Sequence, residues 1–234
     1  MTHPIKLFCI PHAGGLSSIY SEWSNSVGPE IELIPVELAG RGSRFSENPY
    51  KTINQAIDDI TELILRKCDN KCYAIYGHSM GAYISYEVIL KLMKITDNLP
   101  QHLFVSGKGA PYLTKETFIS GLPDKQVIQW LNKLGGIPKE LIENYELMKL
   151  FLPVIRNDYK LIESYNHNIK KKLSNVTLTV LTGKFDESIT IGEVEGWKEY
   201  SEKEVDVYQI SGGHFFINES VTEVISIIKD KLLV

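Results

Sequence analysis

The chain has 234 residues, of which 43% are hydrophobic and 23% charged, and its formal net charge is −4 at pH 7. This composition is ordinary for a globular protein and argues against a disordered chain, a collagen or a repeat array. The mildly acidic net charge does not indicate a basic surface for nucleic acid. No apolar run approaches the length needed to cross a bilayer.

Cysteine content and the first residues bear on the compartment of the protein. Three cysteines are too few, and odd in number, for a disulfide framework, and no metal-ligand spacing surrounds them. Met1–Pro4 have neither the basic stretch nor the long apolar run of a secretory signal. We therefore expect a cytoplasmic protein with one domain over residues 1–234, without a metal, a membrane segment or a nucleic acid partner.

Short β-branched runs alternate with longer helical patterns along the chain. The runs predict six strands, namely Lys6–Pro11, Ile31–Val36, Cys72–Gly77, His102–Gly107, Val176–Thr182 and Val205–Ile210. Apolar side chains at three- and four-residue steps predict helices over Thr52–Lys67, Met80–Thr96 and Ser220–Leu233. This alternation predicts an α/β fold with a mostly parallel central sheet flanked by helices.

The stretch from 111 to 167 breaks this rhythm, because it has helical patterns but no convincing strand. The patterns are interrupted by Pro123, Gly135–Gly136, Pro138 and Pro153. The stretch is long for a crossover between parallel strands. We therefore predict a helical lid insertion over residues 111–167, packed over the carboxyl edge of the sheet. The alternative is that these helices are ordinary crossover connections.

The pentapeptide Gly77–Gly81 directly follows a predicted strand and opens a predicted helix. The G-x-S-x-G nucleophile elbow requires this strand–turn–helix setting, with glycines where side chains would collide with the neighbouring strand and helix. The turn lifts the Ser79 hydroxyl clear of the backbone, at a helix N-terminus that favours developing negative charge. The sequence therefore predicts Ser79 as a nucleophile.

A serine hydroxyl needs a base, and in folds with this elbow an acid and then a histidine follow the serine along the chain. His214 is the predicted base, because it lies in a glycine-rich turn between the last strand and the last helix. Asp186 is the predicted acid, because it lies in the turn just past the fifth strand. Glu187 is the alternative, one residue further on. His78, although next to the serine, is predicted to be structural.

A tetrahedral intermediate also needs hydrogen-bond donors for its oxyanion. The backbone N–H of the residue after the nucleophile, Met80, is one predicted donor. The loop after the first strand is expected to supply the second, because its small residues free the backbone to point an N–H into the site. Ala13 is the predicted donor there and His12 the alternative. A plain glycine turn is the other interpretation of this loop.

From end to end, the sequence resembles the type II thioesterases that accompany non-ribosomal peptide synthetases and polyketide synthases. Phe8–Gly15 resembles the family's opening F-P-x-A-G-G, and Glu37–Arg44 resembles its L-P-G-R-G-x-R, with Ala39 where proline is usual. Two narrower segments carry the resemblance: Leu134–Pro138 resembles L-G-G-x-P, and Leu152–Tyr159 resembles L-P-x-x-R-x-D-Y.

The resemblance implies an α/β-hydrolase fold and a free-standing enzyme that hydrolyses acyl groups from the phosphopantetheine arm of acyl or peptidyl carrier-protein domains. It implies an editing role, an acyl-enzyme on Ser79 and no cofactor. Nothing suggests an obligate partner subunit, so a monomer is expected. One alternative is a related serine hydrolase, such as a fatty-acyl chain-terminating or product-releasing thioesterase or a general esterase. The other is a non-catalytic protein that binds a synthetase.

Basic residues near the predicted lid are candidates for contact with an acidic carrier domain. They are Lys170–Lys172, Arg156 and Lys160, together with Arg41 and Arg44, which alternatively brace their own loop. The net charge of −4 gives no long-range attraction to such a partner, so docking needs a local basic or apolar patch.

Overall fold

The computed structural model describes residues 3–69, 71–113, 118–135, 144–165 and 170–233. Within them one sheet contains β1 (Ile5–Ile10), β2 (Ile31–Pro35), β3 (Tyr73–His78), β4 (His102–Ser106), β5 (Thr177–Gly183) and β6 (Val205–Ile210). The strand order is β2-β1-β3-β4-β5-β6, and each neighbouring pair is parallel. The predicted α/β class is confirmed, and the predicted strand bounds differ from the observed ones by one residue at most.

Helices lie between the strands and after the last strand along the chain. They are α1 (Ile53–Cys68), α2 (Met80–Ile95), α3 (Asp124–Leu134), α4 (Tyr145–Glu163), α5 (Ile191–Glu195), α6 (Phe216–Glu219) and α7 (Val221–Leu232). Short 3-10 segments occupy Ser17–Asn25, Gly42–Arg44, Pro111–Leu113 and Gly196–Tyr200. No helix in the described ranges is long and apolar enough to cross a membrane.

The core has two layers because successive strand residues point to opposite faces of the sheet. On β1, Phe8 and Ile10 join the apolar cluster formed with α1 and α2. Leu7 and Cys9, which alternate with them, join the cluster formed with α7 and the Ser17–Asn25 segment. Both faces are therefore apolar, as expected for a parallel sheet covered on its two sides.

The described residues between β4 and β5 form helices and no strand. α3 and α4 pack against each other in a smaller cluster that includes Val127, Leu131, Met148, Leu152 and Ile155. Residues 114–117, 136–143 and 166–167 of the predicted lid lie outside the described residues, and so do the last three positions of the L-G-G-x-P segment.

The sequence pattern placed a break at Pro153, and this expectation is wrong. α4 continues through Pro153 from Tyr145 to Glu163. Proline removes one intrahelical hydrogen bond, which is costly in an isolated helix. Here the neighbouring Leu152 and Ile155 are buried against α3, so tertiary packing holds the helix together across the missing bond.

Candidate active site

Ser79 occupies the sharp turn between β3 and α2. Its backbone has φ 54° and ψ −113°, a conformation that non-glycine residues rarely adopt. A Cβ on Gly77 would lie 2.2 Å from Gly81 O, and a Cβ on Gly81 would lie 2.3 Å from Ile10 O. The Ser79 N–H donates to Ser106 O at 2.8 Å. Close packing of strand, turn and helix thus holds the serine in a strained conformation, as at many functional sites.

His214 lies between Ser79 and Asp186. Its Nε2 is 3.1 Å from Ser79 Oγ, and its Nδ1 is 2.7 Å from Asp186 Oδ2. The side chains of His214 and Asp186 are only 7% and 1% exposed. The turns after β3, β5 and β6 meet at the carboxyl edge of the sheet, so three residues that are distant in sequence form one hydrogen-bonded chain. This chain has the geometry of a nucleophile, its base and an orienting acid.

The alternative acid, Glu187, points away from the imidazole. Its side chain is 81% exposed, and its carboxylate lies 3.8 Å from the Lys133 ammonium. The structure therefore brings Asp186, and not Glu187, to His214.

Ser188 completes the surroundings of the Asp186 carboxylate. Its hydroxyl and its backbone N–H donate to Asp186 Oδ1 at 2.6 and 2.9 Å, and the hydroxyl lies 3.4 Å from His214 Nδ1. Burial acts to raise the pKa of Asp186, but hydrogen bonds from His214 and Ser188 outweigh it and lower the pKa below its ordinary value. The sequence prediction missed Ser188. The available signal was its position two residues after an aspartate, where a turn closes on the acid's own side chain.

Of the predicted oxyanion donors, Met80 lies in the elbow and Ala13 in the loop next to it. Met80 opens α2, and Ala13 follows β1, whose last carbonyl contacts the elbow at Gly81. Among the described residues, no protein group accepts a hydrogen bond from the backbone N–H of Met80 or of Ala13. The N–H of His12 is likewise without an acceptor there, so Ala13 and His12 both stay candidates for the second donor.

The His78 ring packs beside His214, and the His12 ring packs on the His78 ring. The His78 ring centroid is 5.3 Å from that of His214 and 6.1 Å from that of His12. Burial lowers the pKa of His12 to about 4 and the pKa of His78 well below 6.5, so both rings are neutral near neutral pH. His78 Nδ1 lies 2.9 Å from Ser106 Oγ in the interior, which is the position of a structural histidine.

A buried ion pair lies next to the loop after β1. Arg41 Nη1 and Nη2 donate to the two carboxylate oxygens of Asp158 at 2.5 and 2.7 Å, and the side chains are 3% and 0% exposed. The same carboxylate accepts the backbone N–H of Gly14 at 2.7 Å. The sequence prediction included Asp158 in the Leu152–Tyr159 segment but gave it no role. The sequence feature that could have pointed to a buried role is its position on the apolar stripe of α4, three residues after Ile155 and three before Leu161.

These contacts correct part of the docking expectation. Arg41 is buried, so it cannot contact a carrier domain and instead ties its own loop to Asp158 of α4. Arg44 braces its own loop through Glu47 and ties that loop to α1 through Asp59. Arg156 is paired with Asp124, and Lys170 with Glu199.

Known proteins are similar to this chain in both sequence and fold. Residues 5–232 match the Thioesterase domain family. The chain is 36% identical over 223 residues to the gramicidin S biosynthesis protein GrsT of Aneurinibacillus migulanus, covering 94% of this chain and 86% of that protein. It is 33% identical to the medium-chain S-acyl fatty acid synthase thioesterase of Rattus norvegicus, covering 91% and 81%. The solved structure of YbtT, a type II thioesterase from the yersiniabactin NRPS/PKS pathway, matches with a TM-score of 0.86 and 28% identity, covering 98% and 93%.

Proposed function

The chain belongs to the thioesterase domain family, and on that premise we propose that Ser79, His214 and Asp186 are its catalytic triad. The protein is a type II thioesterase of non-ribosomal peptide and polyketide biosynthesis, a serine hydrolase that acts on thioesters. The α/β-hydrolase fold expected from the sequence is confirmed. One observation carries the site assignment: a single imidazole contacts the Ser79 hydroxyl and the buried Asp186 carboxylate at hydrogen-bond distance.

In the acylation step, Ser79 Oγ attacks the carbonyl carbon of the thioester while its proton passes to His214 Nε2. The carbonyl electron pair moves onto oxygen, and the N–H groups of Met80 and Ala13 stabilise this oxyanion. When the intermediate collapses, the C–S bond breaks and its electron pair stays with the pantetheine sulfur, which takes the proton from His214. Asp186 stabilises the imidazolium and keeps Nδ1 protonated.

Deacylation repeats these steps with water as the nucleophile. His214 takes a proton from water as the water oxygen attacks the ester carbon, and the same two N–H groups hold the second oxyanion. The C–O bond to Ser79 then breaks, and Ser79 recovers its proton from the imidazolium. The products are a carboxylic acid and a free carrier thiol, which fits the removal of unwanted acyl groups from a stalled carrier.

We also assign residues 111–167 to a helical lid within one domain. The support is the position of α4 beside the loop after β1, at the edge of the sheet that carries the site. A Cβ on Gly14 would lie 2.6 Å from Ile155 Cγ1, and the Asn157 amide donates to Tyr50 O at 3.1 Å. α4 therefore adjoins the predicted oxyanion loop.

A second candidate function has support from a relative. The similarity to the medium-chain fatty acid synthase thioesterase of the rat favours release of fatty-acyl chains as an alternative substrate class. The catalytic chemistry would be the same, so the triad does not distinguish the two functions. The preferred acyl chain and its carrier distinguish the two functions.

The decisive experiment measures kcat/KM on matched substrates. Short acyl and aminoacyl groups, and a medium-length fatty acyl group, are each presented on a peptidyl carrier domain, as a small free thioester and as a simple oxygen ester. We expect the highest kcat/KM on carrier-bound short or aminoacyl groups, and labelling of Ser79 but not of Ser79→Ala by a fluorophosphonate. A clear preference for the medium-length chain would support the second function, and an unlabelled wild-type enzyme would contradict both.

The remaining expectations stay predictions. They are a monomeric enzyme in the cytoplasm that needs no cofactor or metal and binds neither nucleic acid nor membrane. Within the described ranges no group of three or more His, Cys, Asp or Glu side chains is arranged to hold a metal ion. Gel filtration would test the monomeric state, and activity after dialysis against a chelator would test the independence from metal.

A further inference from the structure

The predicted oxyanion loop is held from the side of α4 by one carboxylate. Asp158, in the C-terminal half of α4, is fully buried and accepts the Gly14 N–H at 2.7 Å. Its two oxygens also accept Arg41 Nη1 and Nη2 at 2.5 and 2.7 Å, while the same guanidinium lies 3.4 Å from Gly15 O. The ion pair thus contacts the loop at two successive residues.

The contact with Gly14 fixes a whole peptide unit. The N–H of Gly14 and the C=O of Ala13 belong to the same planar amide. Asp158 holds its N–H end. His12 Nδ1 holds the other end, 2.9 Å from Ala13 O, and because a carbonyl only accepts, the imidazole nitrogen is the donor.

The adjacent peptide unit carries the Ala13 N–H, the predicted oxyanion donor. Its carbonyl, His12 O, accepts the Gly15 N–H at 2.9 Å. The peptide units before and after Ala13 are thus both held by hydrogen bonds. Because of this, the direction of the Ala13 N–H is set before a substrate arrives. Preorganised donors of this kind give the largest electrostatic contribution in many enzymes.

Stability alone does not account for the ion pair. Removing two charges from water is costly, and a buried pair is often no more stabilising than apolar side chains of similar volume. The position of Asp158 gives it another role, because its carboxylate is the only group in the described residues that accepts the Gly14 N–H.

We propose that Asp158, oriented by Arg41, is a positioning residue that sets the oxyanion hole from the lid helix α4. This inference rests on the proposed function, because it takes Ala13 as an oxyanion donor. It adds that the geometry of the hole depends on contact between α4 and the loop after β1. Asp158 itself touches no reacting atom and acts through Gly14 and Ala13.

Two double variants isolate this role from the ion pair. Arg41→Met/Asp158→Leu and Arg41→Met/Asp158→Asn both remove the two charges, so neither leaves a buried charge unpaired. The asparagine carbonyl still accepts the Gly14 N–H, whereas leucine has no acceptor. Any difference between the two variants therefore reports on the hydrogen bond to the loop. Asp124→Asn is the control, because it removes the charge that pairs Asp124 of α3 with Arg156 of α4.

The readouts are kcat and KM on a small free thioester, and the ratio of kcat/KM for an oxygen ester to that for its thionoester. A thiocarbonyl is a weak hydrogen-bond acceptor, so this ratio measures the oxyanion hole. We expect the leucine variant to lose about 10²-fold in kcat, with a similar fall in the ratio and little change in KM. The asparagine variant should stay within about tenfold of wild type in kcat. Asp124→Asn should keep the wild-type kcat and ratio.

Equal kcat and equal ratios in the two double variants would overturn the inference. If the leucine variant does not fold, as judged by circular dichroism, Arg41→Lys takes its place, because it keeps a cation but loses the bidentate grip on Asp158. It should lower kcat several-fold and lower the ratio, and an unchanged ratio would overturn the inference. A wild-type enzyme that does not discriminate the oxygen ester from the thionoester would instead contradict the oxyanion assignment of the proposed function.

Discussion

Asp186 and Glu187 are neighbours in sequence, but the turn after β5 gives them opposite surroundings. Asp186 is buried against His214 and Ser188, whereas Glu187 extends into solvent. The carboxylate that contacts the imidazole is therefore the first of the two. The sequence alone did not decide between Asp186 and Glu187, because only the distance from the end of the strand favoured Asp186.

We expect Asp186→Asn to reduce kcat by about 10³ to 10⁴ while the protein stays folded, because an amide at this position favours the wrong imidazole tautomer. Glu187→Gln is the matched control and should have nearly wild-type kcat. Steady-state kinetics on an acyl-carrier substrate, with circular dichroism of each variant, makes the comparison. A large loss in Glu187→Gln and none in Asp186→Asn would move the acid by one residue.

Ser79 and His214 should act as one unit. Ser79→Ala and His214→Ala are each expected to lower kcat by several orders of magnitude, and the double variant should be scarcely slower than either, because residues of a triad are strongly non-additive. Single-turnover hydrolysis of an acyl-carrier thioester provides the sensitivity for such slow rates. Half of the wild-type activity in Ser79→Ala would contradict the mechanism, and additive losses would show that the two side chains act separately.

Only part of the site can be predicted from the local sequence around each residue. Ser79, Asp186 and His214 each have a local signal, namely an elbow or a turn directly after a strand. The Asp158–Arg41 pair joins residues 117 positions apart and depends on how α4 packs, which no local pattern encodes. A buried carboxylate on an apolar stripe indicates that a partner is needed, but it does not say which one.

At the scale of elements, the elbow is a close contact between β1, β3 and α2. The carbonyl of Ile10 at the end of β1 faces Gly81 in the first turn of α2, and there is no room between them for a side chain. The turn that carries Ser79 and the loop that follows β1 thereby meet at one packing contact.

Gly81→Ala should destabilise the protein by about 1–3 kcal/mol, because the new methyl group would lie 2.3 Å from Ile10 O and force β1 and α2 apart. Gly192→Ala in α5 is the control, since nothing lies within 4 Å of the added methyl group. Urea unfolding of both variants measures the change in free energy of unfolding. If Gly81→Ala unfolds at the wild-type urea concentration, the tight contact at the elbow does not exist in solution.

The elements were predictable to different degrees. All six strands were found because β-branched runs bounded by turns are a strong signal for buried parallel strands. The 3-10 segments Ser17–Asn25 and Gly196–Tyr200 were missed. They lack the extended 3.6-residue periodicity of an α-helix, yet they bury Trp23 and Trp197 against the core. Tertiary packing, and not local pattern, determines such segments.

At the scale of the whole molecule, buried neutral histidines link stability to pH. Burial lowers the pKa of His102 to about 4 and that of His12 to about 4, and it holds the pKa of His78 lower than its ordinary value. The unfolded chain takes up these protons near pH 6.5, whereas the folded chain does so only near pH 4 or below. Lowering the pH from about 6.5 to 4 therefore favours the unfolded state. The lowered pKa of Asp186 acts only below about pH 4, outside this window.

His102 offers the cleanest test of this linkage, because it lies on β4, is only 3% exposed and contacts Thr179 Oγ1 at 2.8 Å. His102→Gln removes one titrating group, so the slope of unfolding free energy against pH between 6.5 and 4 should fall by up to about 1.4 kcal/mol per pH unit. Thr179→Val is the control, since it removes the hydrogen-bond partner but no titrating group. It should lower stability at every pH and keep the wild-type slope. Urea unfolding at half-unit pH intervals measures the slopes, and an unchanged slope in His102→Gln would show that His102 takes up its proton alike in the folded and unfolded chains.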